Sequence, residues 1–577
     1  MDIGELLSYK PPQALKRPTE PENDPDSDDE MERQKKIRRM AQAKAHQIAK
    51  QARASSKNVL EAPEIELSEK EKAEILKYVE TEETEGEVLD ESAIKRLVLV
   101  FEKRCLRNRE MRIKFPENPE KFMESEVELH QIIQDLHSIA TVPDLYPLFI
   151  ELQAIPSLLE LLSHENTDIA CAVIDLLQEL TDADILNESP EGANALLDVL
   201  LAQHICALLV QNMERLDEAV QEEATGVHQT LNIFENLIET QPNIAIDATK
   251  QGLMQWLLQR LRKRGTFDPN KLYASELLSI LLQDTTAENR VTLGELDGID
   301  VLLQQLAFYK RHDPQSAEEQ EMMENLFNCL CSCLLEVSNR DRFLKGEGLQ
   351  LMNLMLREKK MSRNGSLKVL DYAMSGPNGK DNCNKFVDIL GLRTIFPLFM
   401  KTPIKNRKKL LSAEQHEEHV VSIISSMLRN CRGSQRQRLI SKFTENDHEK
   451  VDRLLELHFK YLEKVEEIDN QIEQEKQKKE QDGENDSDED DDEANYLKRL
   501  ENGLFTLQLV DYIILEVSCG GPPSIKQRVS QILNLRAASL KTIRHVMREY
   551  AGNLGDAGDS EWRDQEQQHI LQLVDKF

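Results

Sequence analysis

Six short helices with an apolar stripe recur along this chain at intervals of 43 to 50 residues, and that recurrence limits its folds more than any other feature. They open at Ile155, Ile205, Leu253, Ile299, Leu349 and Leu392, each behind a polar or glycine-containing lead-in. A turn and a longer apolar-striped helix follow each one. The unit is clearest from Gln153 to Asp182. There Ile155, Leu158, Leu159 and Leu162 mark one helix, and Ile169, Val173, Leu176, Leu177 and Leu180 mark the next, both at helical spacing. Pro156 sits at the start of the first helix, where a missing N–H removes no bond, and Asn166 or Thr167 can cap the second. Two such helices cannot cover their stripes alone, so copies must stack on either side.

A period in the forties with two or three helices per unit predicts an all-α, armadillo/HEAT-like right-handed superhelical solenoid with N- and C-terminal helical caps. Aromatic residues make up only 5% of the chain, which suits thin helical layers better than one thick core. Nine cysteines, an odd number spread along the helices, predict free thiols in a reducing compartment. No secretory signal opens the chain, and no uncharged apolar run approaches the length of a membrane span, so no membrane association is expected. A net charge of −32 disfavours direct nucleic-acid binding by the solenoid body and favours basic proteins or peptides.

Residues 1–67 are predicted to be a disordered, partly basic region. Within it Met31 to Asn58 holds nine Lys or Arg against Glu32, with alanines that favour helix. Lys16 and Arg17, followed by Lys35, Lys36, Arg38 and Arg39, have the layout of a bipartite nuclear localisation signal, which predicts a nuclear protein carried by an importin. A helix that touches RNA is the alternative for this segment. Residues 68–142 read as an N-terminal helical cap, with a short helix over 68–79 and a stripe of Ile94, Leu97, Val98 and Phe101 further on. The six units fill 143–433. A long helix is predicted over 434–480, then an acidic disordered loop over 481–495, where eight of ten residues from Glu484 to Glu493 are acids. Residues 496–577 form the C-terminal cap, read as one helix before a Gly-Gly-Pro-Pro break at 520–523 and two after it. Ser27 and Ser487 stand in acidic contexts typical of acid-directed kinase sites.

Catalytic chemistry is hard to find. Cys329, Cys331 and Cys333 lie two apart on a helix, where alternate side chains diverge, and read as small buried hydrophobes. His416 and His419 have no neighbouring third or fourth ligand and read as solvent-facing. Gly346-Glu347-Gly348 lacks the strand and lysine of a phosphate loop, and there is no Gly-x-Ser-x-Gly elbow. The expectation is a non-enzymatic protein without a cofactor.

Several long blocks carry a more specific likeness: MDIGELLSYK at the start, RIKFPENPEKFMESE at 112–126, LGELDGIDVLLQQL at 293–306, RFLKGEGLQLMNLMLREKK at 342–360, NKFVDILGLRTIFPLFMK at 384–401 and KFTENDHEKVDRLLELHFKYL at 442–462. Through them the chain resembles the beta-catenin-like protein family, nuclear armadillo-type proteins associated with the spliceosome. The resemblance implies a pre-mRNA splicing adaptor of the nineteen complex that binds lysine/arginine-rich localisation sequences. Implied partners are the cell-division-cycle-five-like protein, activation-induced deaminase in vertebrates, and a second copy of the chain. A nuclear transport receptor, or a scaffold touching RNA through its basic N-terminal helix, is the alternative.

A basic peptide would meet the concave wall made by the third helix of each unit. Importin-type grooves carry a tryptophan and asparagine ladder there. Here the asparagine positions are Glu179, Asn236, Ile280, Ser332, Tyr372 and Asn430, and the tryptophan positions are Gln178, Glu235, Ser279, Cys331, Asp371 and Arg429. Only two asparagines and no tryptophan stand in the ladder, so attraction is expected from acids such as Glu179, Glu235, Glu239 and Asp371.

Overall fold

The computed structural model describes residues 89–577, apart from 264, 266, 284–285, 359, 404–411, 483–487 and 556–559. The localisation signal, the basic segment from Met31, the 68–79 helix, Ser27 and Ser487 lie outside the described residues. Among the described residues there are helices and no strands.

One row of helices runs through this body. Its members are α1 (Glu91–Lys114), α2 (Met123–Ala140), α3 (Thr167–Leu180), α4 (Gln221–Thr240), α5 (Pro269–Leu281), α6 (Ala317–Cys333), α7 (Ser362–Met374) and α8 (Ala413–Asn430). Each packs on the next. α4 shows why: Val227, Leu231, Phe234 and Leu237 are wholly buried, each contributing roughly 1.5–3 kcal/mol of transfer free energy. Start signals come from the sequence. The Asn166 side chain accepts from the Asp168 N–H at the head of α3, and Ser412 with Gln415 forms a reciprocal capping box at the head of α8.

The lead-in before each short helix has one backbone device. Gln153, His204, Gly252, Asp297, Glu347 and Leu390 all take the left-handed conformation, with φ between 56° and 107°. That residue stops the preceding helix and turns the chain into the short one. Five of the six are not glycine, so the turn holds strain that the surrounding packing maintains. Next to it, glycine is demanded by space: a Cβ on Gly348 would stand 2.2 Å from the Phe343 ring, and one on Gly391 would stand 2.5 Å from Phe386. A second device is a buried asparagine in the first helix of a unit. Asn339 Nδ2 donates to the carbonyls of Arg290 and Cys333 at 2.7 and 3.1 Å, stitching one unit's end to the next. Asn289 and Asn382 do the same to Leu281 and Ala373.

The C-terminal third departs from the sequence reading in three places. The long helix, α9, spans Glu449–Asp482 rather than starting at 434, because Asn446, Asp447 and His448 adopt positive φ and a separate helix, Gly433–Ser441, precedes them. The acidic stretch is not all loop: Asp488–Arg499 is helical, Lys476 reaches across to Asp492, and Lys498 at the end of that helix pairs with Glu475 of α9. After the Gly-Gly-Pro-Pro break there are three helices, not two, since Ala537 turns left-handed between Pro523–Leu535 and α11 (Leu540–Gly552), before α12 (Ser560–Lys576). α10 (Phe505–Gly520) continues the row beyond α8. The stretch Asp492–Gly520 has the length and apolarity of a membrane span, but 78% of its apolar window is buried in the protein, and it is a core helix.

Substituting Leu390→Gly is expected to raise stability by roughly 1 kcal/mol by releasing the left-handed strain, whereas Gly348→Ala, driven against Phe343, is expected to lose about 1–3 kcal/mol. Urea unfolding midpoints measured side by side check both signs.

Candidate partner groove

The third-helix wall was the predicted site, and the structure sorts its residues into committed and open ones. Glu179 lies 2.9 Å from His137 Nδ1 on α2. Asp371 accepts from Ser422 Oγ at 2.5 Å and lies 2.9 Å from His419 Nδ1, joining α7 to α8. Asn430 donates to the Gly376 carbonyl at 2.8 Å, and Asn236 is buried. Those two asparagines therefore serve the fold rather than a ligand's backbone. Tyr372 is half-buried, its hydroxyl pushed up by burial. Glu239 is exposed at the end of α4.

His416 and His419 do not face solvent. His416 is buried against the Leu398 carbonyl, its proton affinity lowered by burial, and His419 is turned into the Asp371 pair. The three cysteines do behave as buried hydrophobes. Burial raises the thiol pKa of each, that of Cys331 to about 12. Arg429, at the last tryptophan position, is closed off altogether. It stacks 4.3 Å from the Tyr512 ring, donates to Tyr550 Oη at 2.7 Å and pairs with Glu566 at 2.9 Å, so the C-terminal helices plug that end of the wall.

The open part runs over α3, α4 and α5, with Glu321 of α6 beside it. A cleft of about 540 Å³ is lined by Gln178, Asn232, Glu235, Leu272, Tyr273 and Glu276, among others. A relay of side chains spans it: Gln178 donates to Asn232 at 3.0 Å, Asn232 donates to Tyr273 Oη at 2.9 Å, and Tyr273 donates to Glu235. Among the described residues Glu276 has no such partner. Burial and the carboxylates of Glu235 and Glu321 raise its pKa above the ordinary value. The three acids sit on successive helices, α4, α5 and α6; Glu235 and Glu276 line the cleft, Glu321 repels Glu276 from outside its lining, and no Lys or Arg is among the lining residues. Among the described residues no group of three or more His, Cys, Asp or Glu is placed to hold a metal.

Repeat order, left-handed turns and stacked row all have the armadillo pattern, and a family model agrees. Residues 73–548 match the family described as catenin-beta-like, Arm-motif containing nuclear. The chain belongs to this family. Beta-catenin-like protein 1 of Rattus norvegicus is 56% identical over 577 residues, the full length of both chains. Its Homo sapiens counterpart is 60% identical over 489 residues, 85% of this chain and 86% of that one. The Schizosaccharomyces pombe homologue is 31% identical over 515 residues, 87% of each. A solved chain from work on a phosphorylation switch between cadherin and beta-catenin overlaps 78% of this chain and 97% of its own, at 12% identity and a TM-score of 0.36.

For this catenin-beta-like chain, the ladder test missed the residues that matter most. Asn232 and Glu276 lie one helical turn before the ladder positions 235–236 and 279–280, on the same face. Carrying the ladder back one turn on every third helix would have found them, along with Asp175 and Asn328. The charge changes sign further along, where Lys368 Nζ donates to Asn328 at 3.1 Å.

Because Asp371 binds two partners across the α7–α8 joint, Asp371→Lys is expected to lower the melting temperature by several degrees, corresponding to roughly 2–3 kcal/mol. Glu239→Lys, at an exposed helix end, is expected to leave it unchanged. Circular dichroism melts of the two variants separate a structural acid from an open one.

Proposed function

We propose that this catenin-beta-like chain is a non-enzymatic nuclear adaptor of pre-mRNA splicing, associated with the nineteen complex, which holds lysine- or arginine-rich segments of partner proteins in the α3–α6 groove. The cell-division-cycle-five-like protein is the partner this reading puts first. The observation that carries the binding part is the row of Glu235, Glu276 and Glu321, the first two of which line a cleft of peptide-side-chain size with no Lys or Arg in its lining, while Glu321 acts on Glu276 from beside it. A guanidinium or ammonium entering there would lower the repulsion that raises the Glu276 pKa. Tyr273, His228 and Leu272 would cover the aliphatic stem of such a side chain, in the way long basic residues bury their methylenes against apolar surface. The net charge of −32 adds long-range attraction that speeds encounter and is screened by salt. The nuclear part rests on the family's description and on the basic clusters between Lys16 and Arg39. The splicing part rests on the resemblance of the chain to its relatives.

Fluorescence anisotropy with a labelled lysine/arginine-rich peptide tests the groove. Glu276→Lys together with Glu321→Lys is expected to weaken binding about tenfold or more, roughly 1.4 kcal/mol, with an unchanged melting curve. Binding that survives this double reversal would move the site elsewhere.

The pH dependence has a definite sign. A raised carboxylate is protonated earlier as pH falls, and a protonated Glu276 attracts no cation. Affinity is therefore expected to be full above the raised pKa and to decline as pH drops through it, with Glu276→Gln flattening the profile. A profile that rises on acidification would contradict the assignment.

A further inference from the structure

The first helix of the described body, α1, carries two stripes, and only one is used. Ile94, Val98 and Phe101 are buried against α2 and the short helices Tyr146–Glu151 and Ala154–Leu161. About 120° round the helix, by its 100° per residue, lies a second line: Leu99, Leu106 and Ile113. These are 70%, 56% and 74% exposed, on a helix whose other large apolar residues are buried or half-buried. Their spacing is seven residues each time, the interval that keeps one seam facing a partner helix over successive turns. Single exposed leucines are ordinary on protein surfaces, but here three stand in register on one line of a 24-residue helix, about 10 Å apart, with charged residues between them.

Position in the fold explains why the strip is bare. A stacked row must end somewhere, and the last helix at each end has one face with no successor. At the far end the C-terminal helices fold back, and Ile570, Leu573, Val574 and Phe577 are all buried. At α1 no described residue covers the equivalent face.

Charge indicates what would cover it. α1 runs against the chain's overall sign: between Lys95 and Lys114 it carries eight Lys or Arg against two Glu. Much of that charge is spent within the body. Arg107 pairs with Glu128, Arg109 with Glu160, and Arg112 with Glu126 and Glu165. Along one flank of the strip, however, stand Arg96, Lys103 and Lys114, all exposed, against one carboxylate, Glu110. None of these four has an ion pair among the described residues. Flanking charges of this kind set partner choice in paired helices. A second copy of the same strip would bring cation against cation. A helix with an apolar seam and acidic flanks satisfies both the strip and its edge.

We propose that the Leu99–Leu106–Ile113 strip of α1 is a docking seam for an amphipathic, acid-flanked helix of a partner protein. It is separate from the α3–α6 groove and of opposite charge preference, so the two sites would let one chain hold a basic segment and an acidic helix together. This inference stands whether or not the groove reading does.

The test uses the full-length chain and two fluorescein-labelled synthetic helices of three heptads. Both have leucine at the a and d positions. One has glutamate at e and g, and the other has lysine. The glutamate peptide is expected to bind at least about tenfold more tightly than the lysine peptide. Leu106→Asp, and separately Arg96→Glu with Lys103→Glu, should each abolish most of that preference while the melting curve stays unchanged. Since these side chains are exposed, the variants are expected to fold, and Ile113→Asp serves as the independent repeat. Equal binding of the two peptides, or indifference to Leu106→Asp and Ile113→Asp, would overturn the proposal. So would a dimer in sedimentation that Leu106→Asp dissociates, since the strip would then belong to a second copy. A photo-crosslinker at position 106 that reacts with the chain's own residues, in the absence of peptide, would also overturn it.

Discussion

The described body depends on one repeated contact, the apolar face of one long helix laid against the long helix of the next unit. None of these helices could cover its own stripe. α4 buries Phe234 and Leu237 only because α3 and α5 are present on either side, and the same holds along the row to α10. Stability in such an arrangement is close to a sum of neighbour terms, so the joints between units matter as much as the units. Those joints are where the structure places its buried polar work. Asn339 bridges two carbonyls from adjacent units, and Asp371 ties Ser422 and His419 across α7 and α8. A buried carbonyl left without its donor costs about 1–3 kcal/mol, enough to open a joint.

Electrostatics divides the chain into a satisfied part and an unsatisfied one. In the C-terminal third several buried acids are matched. Burial would push the Glu516 carboxyl up, but His569 and Arg436 hold it below its usual range, and Tyr512 also donates to it. Arg453, Lys460 and Tyr461 converge on Glu417, and His458 meets Asp511 at 2.6 Å with both buried. These groups lock α8, α9, α10 and α12 together. In the groove between α3 and α6 the reverse holds. Glu276 lines the cleft and Glu321 stands beside it, and their negative charge meets no Lys or Arg among the lining residues. The separation is the electrostatic ground for the proposed groove.

How much of this was legible in the sequence follows from which forces are local. Repeat spacing and apolar stripes are local, so the all-helical armadillo solenoid and the burial of Cys329, Cys331 and Cys333 could be read directly. Left-handed residues such as Glu347 and Leu390 carry no marker of their own; they show only through the glycine that follows and the ring it touches. Breaks inside apparently continuous helices were missed for the same reason. Asn446 to His448 and Ala537 look compatible with helix until packing makes them turn. His416 and His419 were misread because the groups that bury or bind them, the Leu398 carbonyl and Asp371, come from preceding helices that sequence spacing does not connect. At the groove the ladder positions were found but the wrong turn was weighed. Glu276 lies one turn earlier, and only the structure brings it beside Glu235 and Glu321.

The account's central claim is that the inner wall from α3 to α6 is the surface that holds a basic partner. Amide hydrogen exchange on the full chain, with and without a saturating lysine/arginine-rich peptide, tests this most directly. Added protection is expected in α4, α5 and α6, centred on residues 228–239, 270–280 and 318–328, with the C-terminal helices unchanged. Protection confined to the C-terminal helices, or none on the inner wall while the peptide is bound, would contradict it.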